Sequence, residues 1–307
     1  MTNTFRIGVV APSGYAADPA AFARGLAHLR SLGHTVQDFS ASGTRELRFA
    51  GTDEQRIAQL HAAARDPSIE IVIALRGGYG LSRLVPAIDL KLLADSVING
   101  GKRWVGHSDF TVVQLALLSS GAGTYAGPMI CDDFSREDLS DFTQQHFWQC
   151  MSQASVRVQL PVHGNPRVQT DGTLWGGNLT MLCSLLGTPW MPTIKNGILF
   201  IEDVNEHPYR VERMLLQLAQ AGILDRQRAI VLGDFSGYKL TDYDNGYDFT
   251  QMLSYMRERL SIPILQGLPF GHMKDKVTLP VGAHCVLDSS EDSLSLTMST
   301  QSVMSAK

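Results

Sequence analysis

The stretch RWVGHSDFTVVQL (103–115) changes hydrophobic period in its middle. Residues 103–105 read as a short apolar strand and residues 110–118 as an apolar-periodic helix, with Gly106, His107, Ser108 and Asp109 between them. A strand that passes straight into a helix is half of a βαβ unit, so this stretch points to a parallel sheet. It also poses a chemical question. A serine on a sharp strand-to-helix turn can offer its hydroxyl as a nucleophile, yet Ser and Asp are also what a helix start needs to cap its free amides. The spelling Gly-x-Ser-x-Gly is met only in part, because Phe110 stands at the last position.

Outward from there, strand and helix signals alternate. FRIGVVAP (5–12) is a strand running into Ser13-Gly14-Tyr15, and AAFARGLAHLRSLG (20–33) a helix with Phe22, Leu26 and Leu29 on one face and Gly33 as its stop. HTVQDF (34–39) is a second strand. Thr52 and Gln55 form a capping box for a helix over 52–66. IEIVIAL (69–75) has the unbroken apolar character of a strand buried on both faces, and it ends in RGGYG (76–80). Three strands thus end in loops rich in Gly, Ser or Asp. In an open α/β sheet those carboxyl ends line the crevice where ligands bind.

The character changes around 150–172. SVRVQLPVHGNPRVQTDG (155–172) alternates and is rich in turns, as a linker and the first strand of a second domain would be. LWGGNLTMLCSLLG (174–187) is expected as a helix, GILFIED (197–203) as a strand, and HPYRVERMLLQLAQAG (207–222) as a helix opened by Pro208 and closed by Gly222. AIVLGDF (229–235) and residues 277–298 add strands. The expected fold is α/β: a parallel-sheet, Rossmann-like domain over 1–150, a linker over 151–170, and a smaller, strand-rich mixed α/β domain over 171–307. A cleft between the domains is the expected site.

Composition excludes several classes of function. A formal net charge of −4 and no Lys/Arg run give no footprint for nucleic acid. No apolar run approaches the ~20 residues of a membrane helix, and the N-terminus lacks the basic-then-apolar pattern of a leader. The four cysteines, Cys131, Cys150, Cys183 and Cys285, form no CxxC pair, which fits reduced thiols in the cytoplasm. No HExxH or similar spacing suggests a metal, and RGGYG matches neither the dinucleotide fingerprint nor the P-loop, so no cofactor is expected. A non-catalytic module that binds a phosphorylated ligand through RGGYG remains open.

A serine hydroxyl needs a base, and nine histidines compete. His107 adjoins Ser108 and is expected to point elsewhere. His28 and His61 fall on helix surfaces, His284 within a strand, and His207 at a helix start where capping explains it. His272, on the Gly-flanked loop LPFGHMKDK (268–276), has the placement of a functional group. The base in turn needs an acid. Glu202 and Asp203 sit at the end of an apolar strand, where alternation lets only one face the cleft; a helix-start acid is the plainer reading of the other. The amide of Asp109 and the bare amides of RGGYG are candidate oxyanion donors.

Taken in order, APSGY, FAGTDEQR, RGGYG, GHSDF, GTLWGGNL, LGTPWMP, EDVNEHPYRVERMLLQL and FGHMKDKVTLPVGA resemble the LD-carboxypeptidases, the muramoyltetrapeptide carboxypeptidases of murein recycling. The resemblance spans essentially the whole chain. It implies a serine peptidase with Ser108 as nucleophile in the N-terminal domain, and Glu202 as acid and His272 as base in the C-terminal one. Asp109 and Gly78 would give the oxyanion amides; a carboxypeptidase also needs a group for the substrate carboxylate, and Arg76 beside the Gly-rich loop is the candidate, a surface ion pair being its plainer reading. The resemblance implies no metal and no cofactor, and a cytoplasmic, commonly homodimeric enzyme. The substrate implied is a murein tetrapeptide, free or muramyl- or UDP-linked, that loses its terminal D-alanine. The microcin C self-immunity peptidases resemble the same pattern and are the nearest alternative.

Overall fold

The computed structural model describes residues 3–40 and 43–300; the outer ends of the two expected domains, 1–2 and 301–307, and residues 41–42 lie outside the described residues. The first half runs β1 (Arg6–Val10), α1 (Pro19–Ser31), β2 (Thr35–Asp38), α2 (Asp53–Arg65), β3 (Ile71–Ala74), α3 (Leu81–Leu84), α4 (Leu90–Ile98), β4 (Arg103–Gly106), α5 (Thr111–Ser119), β5 (Thr124–Ala126) and α6 (Asp141–Ser152). Short-range signals account for most of these elements. The Thr52–Gln55 capping box forms at the start of α2, in both directions. All four residues of β3 are buried, as an unbroken apolar strand between two helical layers must be.

The second half runs β6 (Ser155–Pro161), β7 (Val168–Asn178), α7 (Leu179–Ser184), β8 (Gly197–Val204), α8 (Pro208–Gln220), β9 (Gln227–Ser236), α9 (Phe249–Arg259), β10 (Ile264–Leu265), β11 (Leu279–Val281), β12 (His284–Ser289) and β13 (Ser293–Ser299). The helix expected over 174–187 is corrected. Residues 174–178 extend strand β7, paired in parallel with β8, and only Leu179–Ser184 is helical. Gly176 and Gly177 have φ of 136° and 138°, values no right-handed helix contains. A Cβ at Gly176 would lie 1.8 Å from the carbonyl oxygen of Phe200, so the strands can close only around a glycine.

Two sheets result. The first has the order β11-β5-β4-β3-β1-β2 and the second β10-β9-β8-β7-β12-β13-β6. β1 to β5 are parallel, and β11 returns from the distal half of the chain to pair antiparallel with β5. The segment 151–170 carries β6, which pairs with β13 in the second sheet. In the first sheet the strand order reverses between β1 and β3, and that switch point splays the following loops apart into a crevice.

Candidate active site

Ser108 follows β4 as the first residue of a 3₁₀ turn that leads into α5. Its φ is +62°, a left-handed conformation that costs a side-chain-bearing residue about 1–2 kcal/mol. The turn forces the hydroxyl out of the sheet top, as a nucleophile elbow does. Phe110, the departure from that motif, has a physical place here. A Cβ at Gly106 would stand 2.7 Å from the Phe110 ring and 3.1 Å from Cβ of Ala74, so the ring occupies the space Gly106 leaves. Gly77 of the neighbouring loop lies against the serine from the other side: a Cβ there would be 2.8 Å from both Cβ and Oγ of Ser108.

The hydroxyl of Ser108 donates to Nε2 of His272 at 3.1 Å, and Nδ1–H of His272 donates to Oε2 of Glu202 at 2.8 Å. Glu202 is fully buried. Its position depends on a β-bulge. Ile201 pairs with Leu232 and Asp203 with Phe235, so β9 spends an extra residue opposite Glu202, which re-aims the side chain. Gly233 fills that bulge, its Cβ position 3.2 Å from Cβ of Glu202, and Gly271 brings the histidine loop past the carboxylate at φ +136°. Asn178, the residue in register on β7, donates to Oε1 of Glu202 at 3.2 Å and to Asp203 at 3.0 Å. Asp203 turns to the other side and accepts from the amide and hydroxyl of Thr180 at the start of α7.

Burial alone would disfavour the cationic form of His272, but the hydrogen bond and charge of Glu202 outweigh it and move the imidazole above its ordinary range. His107 points away from Ser108, as expected from their adjacency, and packs behind His272. Its ring packs edge-on against His272 at 5.3 Å between centroids, and its Nδ1 bonds the carbonyl of Gly127 at 2.9 Å. Burial first, then the charges of Lys276 and His272, push its basicity well down, so it stands as a neutral wall behind the His272 ring. Chain adjacency to Ser108 concealed this, because the tight turn carries Ser108 away while leaving His107 under the His272 ring.

The side chain of Asp109 ties three loops together. Its Oδ2 accepts from the Ser13 hydroxyl at 2.6 Å and from the Leu81 amide at 3.0 Å. Burial raises its basicity, and those two bonds oppose that shift. Beside Gly77, at the β1/β3 switch point, lies a cavity of about 190 Å³ lined by Gly14, Tyr15, Arg48, Arg76, Gly78 and Tyr79. Arg76 is half-buried there, and among the described residues no carboxylate lies within ion-pairing distance of Arg76 or Arg48. Nothing in the sequence of the loop over 43–50 distinguishes Arg48 from an ordinary surface charge. No cluster of three His, Cys, Asp or Glu suited to a metal occurs among the described residues.

An alcohol after a strand of the first sheet, a buried carboxylate on a strand of the second and an imidazole between them, joined in line, place the molecule among the serine hydrolases. The chain belongs to the LD-carboxypeptidase family: residues 7–127 match the model of its N-terminal domain and residues 171–287 that of its C-terminal domain. A solved structure of muramoyltetrapeptide carboxypeptidase from Oxalobacter formigenes is 52% identical, superposes with a TM-score of 0.91, and covers 97% of this chain and 99% of its own. The probable murein peptide carboxypeptidase of Bacillus subtilis (strain 168) is 30% identical over 93% of this chain and 89% of its own length. Microcin C7 self-immunity protein MccF of Escherichia coli is 26% identical over 90% and 88%.

Proposed function

We propose that this enzyme is a serine-type LD-carboxypeptidase that releases the terminal D-alanine of murein tetrapeptides in peptidoglycan recycling. The line Ser108–His272–Glu202 carries the reading, on a chain 52% identical to a muramoyltetrapeptide carboxypeptidase. His272 takes the hydroxyl proton as Ser108 attacks the carbonyl that precedes D-alanine. Glu202 holds Nδ1–H, keeping Nε2 free to accept, and favours the imidazolium that forms. The amides of Asp109 and Gly78 receive the oxyanion, each such donor being worth about 10²–10³ in rate. His272 then gives its proton to the leaving amine, and water, activated by the same imidazole, releases the tripeptide from the acyl-enzyme. Arg76, with Arg48 across the cavity, holds the terminal carboxylate.

In this reading a nucleophile-bearing domain spans 1–150, a linker 151–170, and a domain with the acid and the histidine 171–307. The reading extends to a cytoplasmic homodimer. Four free thiols suit a reducing compartment, and no helix among the described residues is long and apolar enough to cross a membrane. The dimer rests on the family resemblance. The 26% relative favours a second reading, a self-immunity-type peptidase that cleaves an amide beside a nucleotide-like group.

Mass spectrometry after incubation with murein tetrapeptide tests the proposal, with the Ser108→Ala variant and an aminoacyl sulfamoyl adenosine run in parallel. Tripeptide and free D-alanine from wild type alone are expected. Unchanged tetrapeptide, or full activity in Ser108→Ala, would sink the reading, and turnover of the nucleotide compound only would favour the alternative.

A further inference from the structure

Four residues beyond His272, the ammonium of Lys276 meets Oδ1 of Asp133 at 2.7 Å, and each side chain is only 2% exposed. Asp133 sits in a π-helical turn, Ile130–Phe134, that follows β5 after residues 127–129, and it also accepts the amide of Met129 at 2.8 Å. A buried ion pair is an inefficient way to stabilise a fold, since apolar side chains of similar volume often serve as well. Its location gives a better reason for it. Lys276 lies on the loop that carries His272, whereas Asp133 belongs to the part of the chain that carries Ser108. The neighbouring contacts run the same way: Thr143 accepts the amide of Lys276 at 2.9 Å and donates to the carbonyl of Lys274 at 3.0 Å, and Ser140 donates to Asp275 at 2.5 Å.

We propose that the buried Lys276–Asp133 pair is a positioning device, a latch that fastens the His272 loop to the turn after β5 and so holds the imidazole within hydrogen-bond reach of Ser108. His272 is 164 residues from Ser108, and its loop has little regular structure of its own, so its position has to be fixed from outside. The groups facing His272 are Ser108 and His107 from the turn after β4, Glu202 from β8, Asp132 from the π turn and Lys276 on its own loop, while Asp234 of β9 stands against Gly271. Among them the Lys276 ammonium opposes Glu202 and Asp132. Removing it leaves Asp133 buried without a cation, where burial favours its neutral form.

The latch rests on the Ser108–His272 relay but not on any peptide substrate, so the test uses a fluorophosphonate that reacts with an activated serine. Covalent labelling of Ser108 is followed from pH 5 to 9 in wild type, Lys276→Met, and Lys276→Met/Asp133→Leu, with thermal unfolding used to express each rate per folded molecule. Labelling is expected to slow about 10²-fold in both variants, the loss that misplacement by about 1 Å brings. Its acid limb should move to higher pH, because the imidazole loses a nearby cation. The double variant restores apolar packing, so wild-type labelling in it, with an unmoved limb, would reduce the pair to filler and overturn the latch. Wild type that fails to label would overturn the relay itself, and the latch with it.

Discussion

Gly77→Ala offers the sharpest test of how Ser108, the proposed nucleophile, is held. Gly77 does not occupy the left-handed region, so alanine meets no backbone penalty there. The added methyl carbon would, however, stand 2.8 Å from Cβ and from Oγ of Ser108, and 3.5 Å from the amide nitrogen of Asp109. Carbon atoms in comfortable contact are about 3.5–4.0 Å apart, so one partner must give by about 0.7–1.2 Å. Rotation of the serine can move Oγ but not Cβ, whose place is set by a backbone already at φ +62°. The hydroxyl therefore leaves its 3.1 Å contact with His272. A displacement near 1 Å at a reacting group costs about 10²-fold. We expect kcat to fall by that factor with KM changed much less, in initial-rate hydrolysis of murein tetrapeptide. Thermal unfolding close to wild type would establish that the fold survives. A folded Gly77→Ala enzyme with wild-type kcat would refute the reasoning, since the loop would then not press on the serine.

Three further outcomes follow from the same geometry. Ser108→Gly should be inactive yet more stable by ~1 kcal/mol, read from chemical denaturation, because glycine accepts φ +62° without penalty; a less stable variant would mean the elbow is unstrained. In wild type kcat/KM should rise with pH as His272 loses its proton, with an inflection above the ordinary imidazole range; Glu202→Gln should move that limb to lower pH and reduce kcat by up to about 10⁴ by spoiling the tautomer. An unmoved limb would remove Glu202 from the relay. Gly176→Ala should lose on the order of 4 kcal/mol of stability, because its methyl would collide with the Phe200 carbonyl, and near-native unfolding would contradict the close β7–β8 contact.

Much of the fold was legible because it is local. The capping box at Thr52, the four buried residues of β3, and the α8 stripe of Val211, Met214, Leu215 and Leu218 are each set by neighbours within a few positions. The glycine pair at 176–177 was misread for the converse reason. Its apolar surroundings resemble a helix, and only the approach of β8, from further along the chain, turns it into strand. The site divides in the same way. The residues expected for it could be named from the sequence through a family pattern, but physics applied to single residues left nine histidines in competition.

What the sequence determined alone was the alternation of strands and helices, the glycine-rich strand ends, and a serine placed where a helix begins. Those follow from periodicity and turn chemistry over short distances. Only the tertiary structure decided that His272 meets Glu202 across 70 residues and Ser108 across 164, and that a bulge in β9 aims the acid. It also decided that His107 backs the His272 ring, and that the buried Lys276 meets Asp133 across 143 residues. Contacts between distant segments depend on how two sheets pack, and no local pattern of residues encodes that.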